Sequence, residues 1–333
     1  MVNRLKNALW LIVGAVVAVW AVTSLVGLVQ AGPMDPPGPP TGGTMKPLDQ
    51  IEPRTAIVQP GAGDFPIVIS QPGSYYLVEN ITGVADKDGI EIAADNVTLD
   101  LNGFTLQGAT GSWNGIAVVG DTRTNISIYN GTIRGWGGDG ICGGPPCQHG
   151  DNTHVRDVTL SGNGGAGLRL YDEAVVTAVE AVSNTAHGII VNGGVVSESR
   201  AYMNDADGVN IFAGTVSGCE VAGNQNDGIE LTGPVTVVGN RVDSNAQVAG
   251  GRGIRVSVLG FGSHIEGNDV VGNVLGPGID TSASILGFNV IIKNTASANG
   301  GGNYVTNLTD TVGPIIGPQN PIASNNPWAN ISY

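Results

Sequence analysis

A short step recurs through most of this chain of 333 residues. Glycine followed by isoleucine, leucine or valine stands at Gly89, Gly115, Gly140, Gly167, Gly188, Gly208, Gly228, Gly253 and Gly278. The intervals are 26, 25, 27, 21, 20, 20, 25 and 25 residues. A second phase is marked by Asn163, Asn184, Asn204, Asn224, Asn245, Asn273 and Asn299. Between the markers apolar and polar residues alternate, as in Val209-Asn-Ile211. Period two is the signature of strands, and no stretch after residue 30 carries a helical period. A repeat this short cannot bury a core alone, so its copies must stack. Two or three short strands per repeat, joined by Gly and Asn turns, predict a parallel β-helix. A leucine-rich repeat of similar length would need a leucine ladder, which is absent.

Composition agrees. The 53 glycines are about double the usual share of roughly 7%, which suits tight turns. With 41% hydrophobic residues and 13% charged, the chain is not a disordered one. Glycine does not recur at every third position, which excludes collagen. The net charge of −14 argues against nucleic-acid binding, which needs a basic surface.

Stacking places equivalent residues in columns about 4.8 Å apart. One inward column reads Ile90, Ile116, Ile141, Leu168, Ile189, Val209, Ile229, Ile254 and Ile279. A second inward column holds Val158, Val179, Ser199, Cys219, Asn240 and Asn268, which makes Cys219 a buried hydrophobe. Its outward neighbour reads Glu180, Arg200, Glu220, Arg241 and Asp269. These charges alternate in sign, and opposite charges on adjacent strands attract. The marker asparagines are expected to form an internal ladder, each amide bonding the next.

At these residues the chain resembles the right-handed parallel β-helix, pectate-lyase-like superfamily. More narrowly it resembles uncharacterised exported bacterial β-helix repeat proteins. The likeness rests on Gln71-Pro-Gly-Ser-Tyr-Tyr-Leu77, Asn96-Val-Thr-Leu-Asp-Leu-Asn-Gly-Phe-Thr-Leu106 and Asn130-Gly-Thr-Ile-Arg-Gly-Trp-Gly-Gly-Asp-Gly-Ile141, with the Asn-x-x-x-Gly-Ile coils after them. It implies an all-β, single-stranded solenoid of about nine coils at 87–305, capped by residues 48–86 and by a tail at 306–333. The superfamily contains lyases, hydrolases, epimerases, adhesins and binding proteins, so the fold does not settle the chemistry.

Ahead of the repeat, Arg4 and Lys6 precede Ala8 to Val29, which holds no charge. Residues 1–31 therefore read as a signal peptide or an uncleaved membrane anchor, and both alternatives export the rest. Residues 32–47 are a Pro- and Gly-rich linker. The expected location is extracellular, periplasmic or at the cell surface, with a membrane contact only through the N-terminal segment. In that setting Cys142 and Cys147, closing a short loop, are expected to pair.

Signals for chemistry are sparse. Two Gly-x-Gly-x-x-Gly matches, Gly135 to Gly140 and Gly162 to Gly167, precede strands rather than helices and so do not read as dinucleotide sites. The four histidines lie in different coils without metal spacing, and His187 alone occupies the position before a marker glycine. That position otherwise favours Asp and Asn (Asp88, Asn114, Asp139, Asp207, Asp227), which turn chemistry explains. Asp207 and Asp227 stack on consecutive coils, however, and like charges at that spacing repel. Such a pair either raises one carboxyl pKa or recruits a cation, and calcium would suit the oxygen ligands. Asn210, Glu230 and Arg255 lie outward on the same face. Tyr171 and Phe212 fall four residues after the marker glycine, where flat rings suit sugar faces. Trp113 and Trp136 are further aromatic candidates.

The reading is an exported β-helix protein that binds carbohydrate or packs in the envelope and does not catalyse. The ligand-binding residues would be Asp207, Asn210, Asp227, Glu230, Arg255, Tyr171 and Phe212, with calcium on Asp207 and Asp227. The alternative is a lyase, epimerase or hydrolase acting on a uronate-containing polymer, with Arg255 and His187 as candidate catalytic groups. The chain lacks the Asp-Pro-His-Asp run of alginate epimerases.

Overall fold

The computed structural model describes residues 54–333, apart from 121, 145, 146, 148, 149 and 319–325. The segments read as signal or anchor (1–31) and as linker (32–47) lie outside the described residues. Arg54–Tyr333 forms a compact unit of its own. Its regular elements are short strands, and its only helical element among the described residues is a single 3-10 turn, Ala62–Asp64. No helix among them is long and apolar enough to cross a membrane.

Every strand pairing is parallel, and each strand pairs with its counterpart one coil away. The first sheet is the marker column. It runs from Ile67 through Ile90, Ile116, Ile141, Leu168, Ile189, Val209, Ile229, Ile254 and Ile279 to Tyr304. The second follows in each coil, with Val155↔Val176, Val196↔Val216 and Val216↔Val237 in register. The third holds Glu180–Val182, Arg200–Tyr202, Glu220–Ala222 and Arg241–Asp243. The inward side chains of all three meet in one apolar core, with Ile189, Ile229 and Ile254 fully buried.

The first sheet has eleven rungs where nine coils were expected. The two extra rungs, at Ile67 and Tyr304, lack the preceding glycine and so escape the sequence marker. The range 48–86, expected as a cap, also holds strands of the stack. Thr55–Ile57 already pairs with Gly73–Leu77, and Ile67–Ile69 with Ile90–Ile92, so stacking begins inside that range. In the tail, Thr311–Val312 and Asn330–Ser332 extend the second and third sheets by one more strand each.

The marker glycine is required by crowding between coils. A Cβ on Gly208 would lie 2.6 Å from Asn224 Nδ2 and 2.8 Å from the Gly228 carbonyl oxygen. At Gly188 the same construction meets Asn204 Nδ2 at 2.7 Å and the Gly208 oxygen at 2.6 Å. The chain thus passes close under the next asparagine, and only glycine fits.

Those asparagines form the ladder. Asn204 Nδ2 donates to Asn224 Oδ1 at 2.9 Å, and Asn224 Nδ2 donates to Asn245 Oδ1 at 2.8 Å. From Asn184 onward each Oδ1 also accepts the backbone N–H of the preceding asparagine, and the Nδ2 groups of Asn184, Asn204, Asn224, Asn245 and Asn299 reach a carbonyl, as Asn224 does to Ala201 O at 3.0 Å. A second ladder that the markers did not reveal runs Asn240, Asn268, Asn294 and Asn330 at the opposite corner. Cys219 caps it, its backbone N–H donating to Asn240 Oδ1 at 2.9 Å. The outward charge ladder is present, with Arg200 bridging Glu180 and Glu220 at 3.3 and 3.1 Å. It is half exposed, which limits it to a few tenths of a kcal/mol up to about 1 kcal/mol per pair.

Asn224→Ala should leave several buried donors and acceptors unpaired and cost roughly 2–4 kcal/mol, whereas the exposed Thr236→Ala should stay within about 0.5 kcal/mol. Denaturant unfolding of both variants measures the difference, and equal midpoints would reject the ladder as a source of stability.

Candidate functional site

The aspartates before the marker glycine are not turn-surface residues. Asp88, Asp139, Asp207 and Asp227 are all buried. Each uses one carboxylate oxygen to accept the backbone N–H of the equivalent residue one coil on. Asp88 Oδ1 takes Asn114 N at 2.7 Å, Asp139 Oδ1 takes Ala166 N at 2.6 Å, Asp207 Oδ1 takes Asp227 N at 3.0 Å and Asp227 Oδ1 takes Arg252 N at 2.6 Å. The column is therefore a capping ladder between coils, and local turn bonding is not its main cause.

On the outward face of the first sheet this ladder meets the column Ile190, Asn210, Glu230 and Arg255, set by the register Asn210↔Glu230↔Arg255. Asn210 Nδ2 donates to Glu230 Oε2 at 2.7 Å and to Asp207 Oδ2 at 3.2 Å. Arg255 Nη1 lies 3.3 Å from Asp227 Oδ2 and 3.3 Å from Glu230 Oε1. His187, which precedes the marker Gly188, sets Nδ1 3.1 Å from Asp207 Oδ2. That contact has ion-pair distance without hydrogen-bond alignment, and Arg255 Nε is also buried without a hydrogen bond. Asn226, which the sequence did not single out, donates to Asp207 Oδ1 at 2.7 Å.

The three carboxylates divide their acidity. Burial raises Asp227 to about 7, and the Asp207 charge adds to the effect while Arg255 opposes it. Burial and Asp207 also raise Glu230. Asp207 moves down: burial opposes this, but the His187 ring, Asn210 and the Asp227 N–H outweigh it. The repulsion expected between the stacked Asp residues is thus met by proton retention, by the Arg255 guanidinium and by the His187 ring beside Asp207.

That bears on calcium. Ligand atoms of Asp207, Asp227 and Glu230 lie within 4.8 Å of one another. Yet one guanidinium already sits against two of the carboxylates, and the third has His187 and Asn210. A divalent ion would have to displace Arg255, so the residues fit a self-neutralised cluster better than a resident cation.

Beside the cluster the same face opens into a shallow depression of about 270 Å³. Tyr171 and Phe212 stand at its edge, Ile190 and Asn210 line it, and Arg169 and Asn192 complete it. Phe212 is 47% exposed. Asn210 belongs to both features and joins cluster to depression. Arg169 is held by Asp139 at 2.7 Å and Asn192 by Asp172 at 2.7 Å. Arg169 stands in the same outward column as Ile190 and Asn210. Trp136 is not a platform: it is buried at 1% exposure and donates Nε1–H to Leu106 O, while Trp113 is exposed in another coil. Cys142 and Cys147 are disulfide-bonded, with Cα atoms 5.9 Å apart.

Two measurements follow. Asp227 holds its proton more tightly folded than unfolded. Its contribution to stability is complete below the ordinary carboxylate range and is lost as pH rises to about 7. Glu230 acts in the same direction, and Asp207 in the opposite one at lower pH. Wild type should lose stability between about pH 4 and pH 7, and Asp227→Asn, which keeps the acceptor for Arg252 N, should lose on the order of 1–3 kcal/mol less. Parallel slopes would reject the displaced acidity. Burial lifts the Cys219 thiol to about 11, so native protein should show no reactive thiol and denatured protein one. Finding three would reject the disulfide.

A family model described as "Right handed beta helix region" matches residues 147–311. A comparison with curated protein sequences finds no match. Among solved structures, the chain is similar to the A-module of mannuronan C-5 epimerase AlgE4 of Azotobacter vinelandii. The identity is 15%, the TM-score 0.54, and the match covers 78% of this chain and 88% of that one. It is also similar to the AlgE6 A-module of the same organism, at 14% identity and TM-score 0.43, covering 84% and 88%. Pectate lyase Pel9A matches at 18% identity and TM-score 0.41, covering 70% and 61%. At these identities the likeness concerns the fold. Stacked parallel coils, three sheets and the matched family model together show that this chain has a right-handed parallel β-helix fold.

Proposed function

We propose that this chain is an exported protein that binds carbohydrate on the outward face of its first sheet, without catalysis. The observation that carries the reading is the depression bounded by Tyr171 and Phe212, with Asn210, Asn192 and Arg169 as its polar groups. Flat rings bury well against the apolar faces of sugars, and amide and guanidinium groups match hydroxyls and carboxylates. The shallow, open shape suits a polymer lying along stacked coils. The epimerase module that shares the fold acts on a polysaccharide, which supports the class of ligand. Export is supported by the charged start and uncharged run of Ala8 to Val29, and by the Cys142–Cys147 bond, since such bonds persist in oxidising compartments.

The non-catalytic reading is supported by how the acids are used. Asp207 and Asp227 are buried, and each gives an oxygen to the backbone of the next coil. A catalytic reading is favoured by one observation, the raised pKa values of Asp227 and Glu230 beside a depression, since displaced pKa values cluster at active sites. Arg255 and His187, both part-buried, would then be the partner groups in a lyase or epimerase acting on a uronate polymer. Calcium plays no part in the reading proposed here.

Binding to an array of neutral and uronate-containing polysaccharides should be detected and should fall at least about tenfold in Phe212→Ala and in Tyr171→Ala. Binding unchanged in both variants would remove the site. Incubated polymer should keep its length and sugar configuration. Chain cleavage, new double bonds or inverted uronates would replace this reading with the enzymatic one.

A further inference from the structure

On the same corner of the solenoid, later coils carry an apolar ridge. Ser257-Val-Leu-Gly-Phe261 and Ser284-Ile-Leu-Gly-Phe288 repeat the same five-residue pattern one coil apart. Each forms the turn between a first-sheet and a second-sheet strand, Ile254–Val256 to His264–Glu266 and Ile279–Asp280 to Val290–Ile292. Leu259, Ile285 and Phe288 are 68%, 70% and 72% exposed, and Leu308 on the next coil is fully so. Val258, Phe261 and Leu286 are also exposed. A contiguous patch of this kind exceeds the scattered apolar residues normal on a monomer surface.

The turns are held in place. Ile285 N donates to Val258 O at 3.3 Å, Gly262 N to Gly287 O at 3.1 Å, Ser284 Oγ to Gly260 O at 2.6 Å, and Asn307 Nδ2 to Ser284 O at 2.6 Å. Gly287 has φ +64°, and a Cβ there would collide with Thr309, so the turn is shaped by its neighbours. The backbone is satisfied between coils, and the large side chains are left pointing outward.

We infer that this ridge is the contact surface of a homodimer, with a second copy of this chain as its occupant. Three features select that occupant. Two near-identical turns stacked in parallel are self-complementary: a two-fold axis passing between them sets the 257–261 turn of one copy against the 284–288 turn of the other. Neither turn nor its flanks, 256–263 and 281–292, contains a charged residue. In a chain of net charge −14, two copies meet there without placing like charges together. The exposed side chains amount to several hundred Å², approaching the roughly 800 Å² per partner of a standard interface. A bilayer surface fits less well, because the ridge itself, 256–263 and 281–292, has no Lys, Arg, Trp or Tyr and the chain is acidic. The ridge begins on the coil after Thr232, so dimerisation covers it and leaves the depression at Tyr171 and Phe212 open. The inference is independent of the carbohydrate reading.

Sedimentation equilibrium on the purified chain should show a dimer. Leu259→Asp/Leu286→Asp should dissociate it at least roughly a hundredfold more readily, with an unchanged circular dichroism spectrum. A monomeric wild type, or a dimer unaffected by the two substitutions, would overturn the assignment. Wild type that is monomeric but floats with phosphatidylcholine/phosphatidylglycerol vesicles would overturn it in favour of lipid. If the double variant does not fold, a mixture of Leu259→Cys chains and Leu286→Cys chains is the arm that decides. The native chain offers only the buried Cys219 as a free thiol, so mild oxidation of the mixture should link one variant to the other, and failure to cross-link would overturn the dimer.

Discussion

The buried asparagine ladder is the interaction on which the rest of this molecule depends. A solenoid coil must turn its backbone through corners that face inward, and every such corner strands polar groups away from water. Here an asparagine amide such as that of Asn224 accepts the backbone N–H of the preceding rung's asparagine and donates to the next asparagine and to a carbonyl. The next coil is thereby part of the solution to each coil's hydrogen-bonding problem. That requirement brings the chains close enough that a marker glycine can be nothing else. It also sets the register that buries Ile189, Val209 and Ile229 in one column.

The aspartates before the glycines extend the same logic to the surface side of the corner. Their carboxylates accept from the backbone of the following coil, a role a neutral asparagine fills at Asn114. Where two of them stack, at Asp207 and Asp227, the structural device creates an electrostatic problem. It is answered by Arg255, by the nearby His187 ring and by a retained proton. An unusual acidity therefore arises from a scaffold role. A cluster of carboxylates in a β-helix cannot be taken as catalytic before its backbone partners have been counted.

Function is placed on what the scaffold leaves over. The coil repeats its inward face closely and varies its outward face and corners. Tyr171, Asn192 and Phe212 share one corner of the solenoid on coils five to seven, and the two Leu-Gly-Phe turns share it on coils nine and ten. One corner thus carries both a polar depression with aromatic edges and an uncharged apolar ridge, separated along the axis.

Much of this was legible in the chain because stacking turns sequence period into spatial column. The Gly-Ile step and the Asn phase alone determined the coil, the inward columns and the alternating ladder Glu180, Arg200, Glu220, Arg241, and each is found in register. The terminal coils were not legible, because Ile67 and Tyr304 stack without a crowding glycine and leave no marker. The second ladder was legible only as an inward column and not as a chain of hydrogen bonds, because its rungs pass from Ser199 and Cys219 to Asn240 and show no single residue type. At the candidate site, the sequence placed Asp207, Asn210, Asp227, Glu230 and Arg255 on one face. Only the tertiary structure decided which atoms meet: that Asp207 and Asp227 are spent on backbone N–H groups, that His187 turns toward Asp207, and that Tyr171 and Phe212 border one depression. The reason is physical. A column is set by the backbone repeat, whereas a side-chain contact depends on rotamer, burial and the competing partners that only packing supplies.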